Sequence, residues 1–343
     1  MASLTTCREA TAVSENAQVI NDSSDDSDEE SPRLGTMRRA NKHVSNEAFQ
    51  QQAASLNYIA ASAHEEMNPR RRNTMEDIHR IVPNLKGSEE YSYFGVYDGH
   101  GGRQIADFLD ETLENNISIE LQQTDSAPVL ERLQRAFLIT DMQSRRLNIV
   151  TSGATAVSAL VHTAVDPNDS NTTLSRKLYV ANVGDSRAVL VSEPHTALDH
   201  LPKPALADSS SNMHAYRLTY DHRAEDAREQ ARVEAAGGFI TRGRVLGILA
   251  VSRSFGDHGM KDFVIADPHL TEVDLLALNN APLLIIACDG VWDVFSDQEA
   301  ADLLLEEFKS QGNKPFEDAA EILVQAAMDR GSADNITAIV VFL

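Results

Sequence analysis

Apolar residues along this chain fall mostly in short runs bounded by Gly, Pro, Asn and Asp. Such runs predict strands near 78–83, 92–97, 154–165, 177–183, 187–192, 215–220, 238–245, 248–253, 263–275, 282–288 and 335–343. Helical spacing punctuates them. Ile105, Phe108, Leu109 and Leu113 mark one helix, and Leu130, Leu133, Phe137 and Leu138 mark a second. A third, over 224–236, stops at Gly237-Gly238. Ser296-Asp297-Gln298-Glu299 is a capping box before Leu303, Leu304 and Phe308. Pro315 opens the last helix and Gly331 follows it. Residues 166–175 and 193–213, rich in Pro, Ser, Asp and Asn, read as surface loops. Many strands with helices clustered between them imply an α+β domain, sheets packed together and helices outside. The pattern leaves the topology open.

Residues 1–61 break this texture. They are polar, with the run Asn21-Asp22-Ser23-Ser24-Asp25-Asp26-Ser27-Asp28-Glu29-Glu30. Such a segment buries too little apolar surface to offset its ordering entropy, so a disordered acidic tail is expected, followed by one domain over 62–343. Its serines resemble sites for acid-directed kinases, but a plain solvated tail is the better reading. Arg38, Arg39 and Lys42 are too few to make a nuclear signal.

Composition narrows the function. Of 343 residues 42% are apolar, enough for a substantial core. Lysine and arginine number 30 against 52 aspartates and glutamates, a net charge of −22, which argues against nucleic acid as a partner. Cys7 and Cys288 form no disulfide framework and suit a reducing compartment. Neither has an arginine six positions on, which excludes the loop of cysteine-dependent phosphatases. The apolar run at 283–288 is far too short to cross a bilayer, and no apolar signal core opens the chain. A soluble monomer of the cytoplasm, the nucleus or both is expected.

Chemistry enters through aspartates at strand ends. Asp98 follows the run 93–97, Asp185 follows 178–184, and Asp289 follows 283–288 with Asp293 four residues on. Asp334 directly precedes the strand 336–343. Strand ends are rigid, so these carboxylates can be placed accurately at one sheet edge. Each alone could be a turn residue; recurrence weakens that reading. Converging carboxylates raise each other's pKa, and divalent cations resolve the conflict. All-oxygen ligation points to Mg²⁺ or Mn²⁺ rather than Zn²⁺. Glu76-Asp77, next to Arg70-Arg71-Arg72, adds two carboxylates and an arginine fork suited to a tetrahedral oxyanion.

Assembled in order, these residues resemble the metal-dependent type-2C serine/threonine protein phosphatases, the PPM family. The likeness covers about 68–343 and rests on Arg72 with Glu76-Asp77, Asp98-Gly99-His100-Gly101-Gly102, and Ser152-Gly153-Ala154-Thr155-Ala156. It continues through Asn182-Val183-Gly184-Asp185-Ser186-Arg187, Leu249-Ala250-Val251-Ser252-Arg253-Ser254-Phe255-Gly256-Asp257, Asp289-Gly290-Val291-Trp292-Asp293 and Gly331-Ser332-Ala333-Asp334-Asn335. The short linkers and the Val340-Val341-Phe342-Leu343 ending look most like small fungal members that act in stress MAP kinase signalling.

The resemblance implies a four-layer αββα sandwich of two antiparallel sheets flanked by helices, with the metal site at one sheet edge. By position, Asp98 bridges two Mg²⁺ or Mn²⁺ ions, the Gly99 carbonyl ligates one, and Asp289 and Asp334 hold the other. Glu76 and Asp77 act through metal-bound waters. Asp185 and Asp293 resemble ligands of a weaker third ion. Arg72 matches the phosphate-binding arginine, His100 the general acid, and Arg244 and Thr155 the substrate rim. The implied chemistry is in-line attack by a metal-bridged hydroxide on phosphoserine or phosphothreonine. Phosphorylated proteins, among them MAP kinases or their activators, are the implied partners. Leu246, where many members have asparagine, and Ala224, where proline is frequent, depart from the pattern near that rim. Three other readings compete: a catalytically dead module that docks on kinases, a two-metal hydrolase of small phosphoesters or nucleic acid, and a purely structural acidic domain. The complete carboxylate set speaks against the first, the acidic surface against nucleic acid, and the ordered motifs against the last.

Overall fold

The computed structural model describes residues 57–166, 169–202 and 212–343. In chain order the described residues form β1 (Ala60–Glu66), β2 (Ile78–Val82), β3 (Tyr91–His100), α1 (Gln104–Leu121) and α2 (Val129–Ser144). There follow β4 (Gly153–Asp166), β5 (Asp169–Val183), β6 (Arg187–Ser192), β7 (His214–Arg217), α3 (Ala227–Ala235), β8 (Ile240–Thr241) and β9 (Arg244–Val245). The chain closes with β10 (Phe255–Gly256), β11 (His269–Asp274), β12 (Leu283–Ala287), α4 (Asp289–Trp292), α5 (Asp297–Ser310), α6 (Ala319–Asp329) and β13 (Ile336–Phe342). Of the expected disordered tail over 1–61, residues 1–56 lie outside the described residues.

Two antiparallel sheets face each other. One runs β1-β13-β12-β6-β7, and the other runs β11-β5-β4-β3-β2 with β10 on β4. Central strands are apolar on both faces, and this is why they read as continuous runs. In β12, Leu283, Ile285 and Ala287 pack under α5 and α6, while Leu284 and Ile286 face the other sheet. In β3, Phe94 and Val96 meet the first sheet, whereas Tyr93 and Tyr97 turn outward against α1 and α2. Three successive apolar layers therefore separate helices, sheet, sheet and helices: the four-layer sandwich.

Several local expectations change. β1 was not foreseen, because Ala60-Ala61-Ser62-Ala63-His64-Glu65-Glu66 carries no large apolar side chain. It is a strand because it pairs along β13, Ala60 opposite Phe342 through Glu66 opposite Ile336. Residues 248–253 form no named strand but are pinned by isolated bridges, Arg223 to Val251 and Val245 to Leu249. The expected strand over 238–245 shrinks to the β8–β9 hairpin, turned by Arg242 and Gly243 at φ 51° and 70°. β4 and β5 extend into the expected loop at 166–175. The last helix starts at Ala319 rather than at Pro315. The capping box holds: Ser296 N donates to Glu299 Oε2 at 2.8 Å and Glu299 N to Ser296 Oγ at 3.3 Å.

Candidate metal and phosphate site

Antiparallel pairing brings the end of one strand and the start of the next to the same edge. β3 ends beside the start of β4, with Asp98 opposite Thr155. β12 ends beside the start of β13, with Ala287 opposite Ala338, so Asp289 and Asp334 flank one seam. Asp77 directly precedes β2, whose first residue Ile78 pairs with Tyr97 next to Asp98. Asp185 follows β5. Both sheets thus deliver aspartates to one edge.

The carboxylates feel one another. Carboxylate oxygens of Asp98 and Asp289 and the Cys288 Sγ all lie within 4.8 Å of one another. Burial, then Asp77, Asp289, Asp185 and Asp334, pushes the Asp98 carboxyl well above the usual range. Burial, followed by Asp185, Asp334 and Asp293, does the same to Asp289. Burial raises Asp77 to about 7, and its Oδ2 is buried without a hydrogen-bond partner. Burial raises Asp334 as well, against the pull of Arg72.

These donors fit a hard divalent cation. An orphaned buried oxygen and mutually repelling carboxylates are what a cation would satisfy. Cys288 does not alter that preference. Burial, then Asp77 and Asp98, raises its thiol well above the ordinary value, keeping it protonated. Its sulfur accepts from Thr337 N at 3.1 Å and donates toward Asn335 O at 3.5 Å. The sulfur is thus held by backbone partners, and the hard carboxylate oxygens beside it suit Mg²⁺ or Mn²⁺ better than a soft, thiolate-seeking metal.

A loop is drawn over the edge. Asn335 accepts from Glu76 N at 2.9 Å and donates to the carbonyls of Met67 and Thr74, both at 2.9 Å. Glu76 Oε2 accepts from Gly102 N at 3.3 Å. The same loop explains Gly99, where a Cβ would lie 2.5 Å from the Glu76 carbonyl oxygen. Arg72, half exposed at the mouth, pairs with Asp334 and donates to Ala333 O at 3.2 Å.

His100 pairs with a carboxylate outside this cluster. Its Nε2 is 2.8 Å from Asp257 Oδ2, and Asp257 also accepts from Ser254 Oγ. Gly153 makes this contact possible, because a Cβ there would sit 2.1 Å from Asp257 Oδ2 and 2.4 Å from His100 Nε2. Asp257 is a partner that reading the sequence missed, although it closes the Gly256-Asp257 motif.

Asp185 and Asp293 are joined by Arg223, at 3.2 Å from Asp185 Oδ2 and 2.7 Å from Asp293 Oδ1. Burial still lifts Asp185 to about 6 against that guanidinium. Arg223 was also missed; its neighbours Asp221-His222 were the only signal. Arg244 is exposed on the β8–β9 hairpin and donates to Ile248 O at 2.8 Å. Thr155 is not on a rim: it is buried, 2.6 Å from Ser186 Oγ.

Fold and site together define a sandwich with a carboxylate edge that fits a hard cation and an arginine at its mouth. Comparison with known proteins places that class. The family model for protein phosphatase 2C matches residues 61–336. "Protein phosphatase 2C homolog 1" of Saccharomyces cerevisiae is 36% identical over 284 residues, covering 81% of this chain and 92% of its own. The Schizosaccharomyces pombe protein of the same name is 34% identical, covering 82% and 73%. A solved Caenorhabditis elegans sex determining protein superposes with TM-score 0.65 at 26% identity, over 82% of this chain and 64% of that one. A Toxoplasma gondii phosphatase shares the fold, with TM-score 0.65 at 22% identity over 83% and 92%. The chain belongs to the protein phosphatase 2C family, the metal-dependent serine/threonine protein phosphatases.

Proposed function

We propose that this protein hydrolyses phosphoserine and phosphothreonine in proteins, using two Mg²⁺ or Mn²⁺ ions at the Asp98 edge. The supporting observation is a set of desolvated carboxylates, Asp98, Asp289 and Asp77 above all, that repel one another and have no basic partner among the described residues. Asp98, Asp289, Asp334 and the Gly99 carbonyl would hold the cations, with Glu76 and Asp77 behind them. When bound, the cations supply positive charge that activates a water nucleophile and offsets charge on the phosphoryl oxygens. Arg223 already balances Asp185 and Asp293, so a third ion there would have to displace it.

The chain's own groups do the rest. Arg72 presents a planar fork of donors at the mouth, where it can leave Asp334 for two phosphoryl oxygens. Asp257 fixes the His100 ring through Nε2, leaving Nδ1 to donate a proton to the departing serine or threonine oxygen. The exposed Arg244 on its hairpin would meet residues flanking the phosphate.

The physiological substrates we propose are phosphorylated MAP kinases or their activators in stress signalling, in the cytoplasm, the nucleus or both. The likeness to small fungal members supports this reading. The test compares Mn²⁺-dependent turnover of a phosphothreonine peptide, a phosphorylated MAP kinase and a nucleotide monoester. Preference for the nucleotide overturns the protein-phosphatase reading; equal rates on the kinase and an arbitrary phosphopeptide overturn only the substrate assignment.

A further inference from the structure

A pocket lies at the end of the first sheet opposite the carboxylate edge. β12 runs between the two: Pro282 lines the pocket and Asp289 belongs to the carboxylate edge. Seven residues of near-extended chain separate them by roughly 20 Å. The cavity holds about 570 Å³. Leu275, Leu278, Pro282 and Phe308 give it apolar walls, and Phe308 is braced on Phe342 with ring centres 5.8 Å apart.

Its charge is the unexpected feature. Arg176 and Lys309 line it together with Leu343, and no aspartate or glutamate side chain among the described residues does, in a chain of net charge −22. Arg176 is half-buried, donates through one terminal nitrogen to Asn57 O at 2.9 Å, and leaves Nε buried without a partner. Among the described residues no carboxylate pairs with it. Burial alone shifts its pKa, downward, the opposite of the raised values of the paired Arg187 and Arg223. At the rim, Glu193 is engaged by Asn280, which donates to it at 3.3 Å. A desolvated guanidinium without an anion is costly, and structures normally pair one.

We propose that this pocket docks a short segment of a partner protein in which a glutamate or aspartate sits between bulky apolar side chains. The carboxylate would complete Arg176 with Lys309 beside it, and the apolar side chains would fill the cavity. The exposed amides of Asn279 and Asn313 on the rim suit peptide bonds, which a fatty acid lacks. Two cations on so acidic a protein do not attract a polyanion such as nucleic acid. Docking here leaves the phosphatase edge free, so a bound partner would raise its own local concentration there.

The test uses the full chain and a fluorescein-labelled peptide, Ser-Ser-Leu-Phe-Glu-Glu-Leu-Phe-Ser, read by anisotropy. Saturable binding is expected. Arg176→Ala should weaken it about tenfold, Lys309→Glu about threefold, and replacing both peptide glutamates by glutamine about tenfold. Metal-dependent turnover of a short phosphothreonine peptide without the apolar–acidic segment should stay unchanged in both variants. That control separates failed docking from failure of the phosphatase reading, and exposed Lys309 carries the test if Arg176→Ala does not fold. No saturable binding, equal binding by wild type and Lys309→Glu, or equal binding of the glutamine peptide each overturns the proposal. So does a tenfold gain in affinity when Asp22, Asp25, Asp26, Asp28, Glu29 and Glu30 become amides, because the chain's own acidic run would then be the occupant.

Discussion

Two buried carboxylate clusters in this protein differ in one respect. Glu229, on α3, is buried, yet Arg253 donates to it at 2.7 and 3.1 Å, Arg232 at 3.0 Å and Ser252 at 2.8 Å. Burial pushes its carboxyl up, but Arg253, Ser252 and Arg232 prevail and hold it at about 2. At the Asp98 edge Asp98 and Asp289 keep some solvent exposure, but their nearest charges are other carboxylates, and the values go up. Burial of acids therefore does not distinguish a site from a scaffold. What distinguishes it is whether the cation is part of the chain.

The largest effect should come from breaking the uncompensated cluster. Asp98→Asn is expected to lower phosphopeptide turnover about 10³-fold. It should also raise the melting temperature of the metal-free protein, because one repelling charge is gone. A folded variant with near wild-type turnover would remove the carboxylate edge from the mechanism.

Breaking the compensated cluster should do the reverse. Glu229→Gln strands two guanidinium groups and should cost about 3–5 kcal/mol in urea unfolding. Turnover per folded molecule should hardly change. An unaltered unfolding midpoint would show that this cluster does not hold α3 in place.

A smaller effect is expected at the His100 pair. Asp257→Asn should lower turnover about 10–10²-fold without altering the Mn²⁺ concentration needed for half-maximal activity. It should also move the pH profile of turnover, which a purely structural role would leave in place.

The pH response should set the two clusters apart most finely. The folded pKa of Glu229 is depressed, so its stabilisation is present above about pH 4.5 and lost as pH falls toward 2. Asp77 and Asp185 have raised folded values, about 7 and about 6, so their contribution is present below about pH 4 and lost as pH rises through 6–7. Mg²⁺ should offset that loss. The melting-temperature difference between Mg²⁺ and chelator is thus expected to widen from pH 5 to 7.5, and a constant difference would count against cation binding at this edge.

The inventory of strands, helices and candidate ligands is legible in the chain alone. Runs apolar on both faces marked the central strands, and aspartates just after 93–97 and 283–288 and just before 336–343 marked one sheet edge. These signals are local: strand period, turn chemistry and the capping box at Ser296 are decided within a few residues. What needed tertiary structure was pairing. β1 exists only because β13 offers it an edge, and 248–253 is no named strand despite its apolar texture. Thr155 has a rim motif's sequence but is buried against Ser186. His100 gains Asp257 from 157 positions away, and Asp185 gains Arg223 from another element. Among the described residues Arg176 pairs with no carboxylate, which its sequence neighbours do not reveal. Charge balance depends on through-space distance and burial, and both arise only when strands distant in sequence pack together.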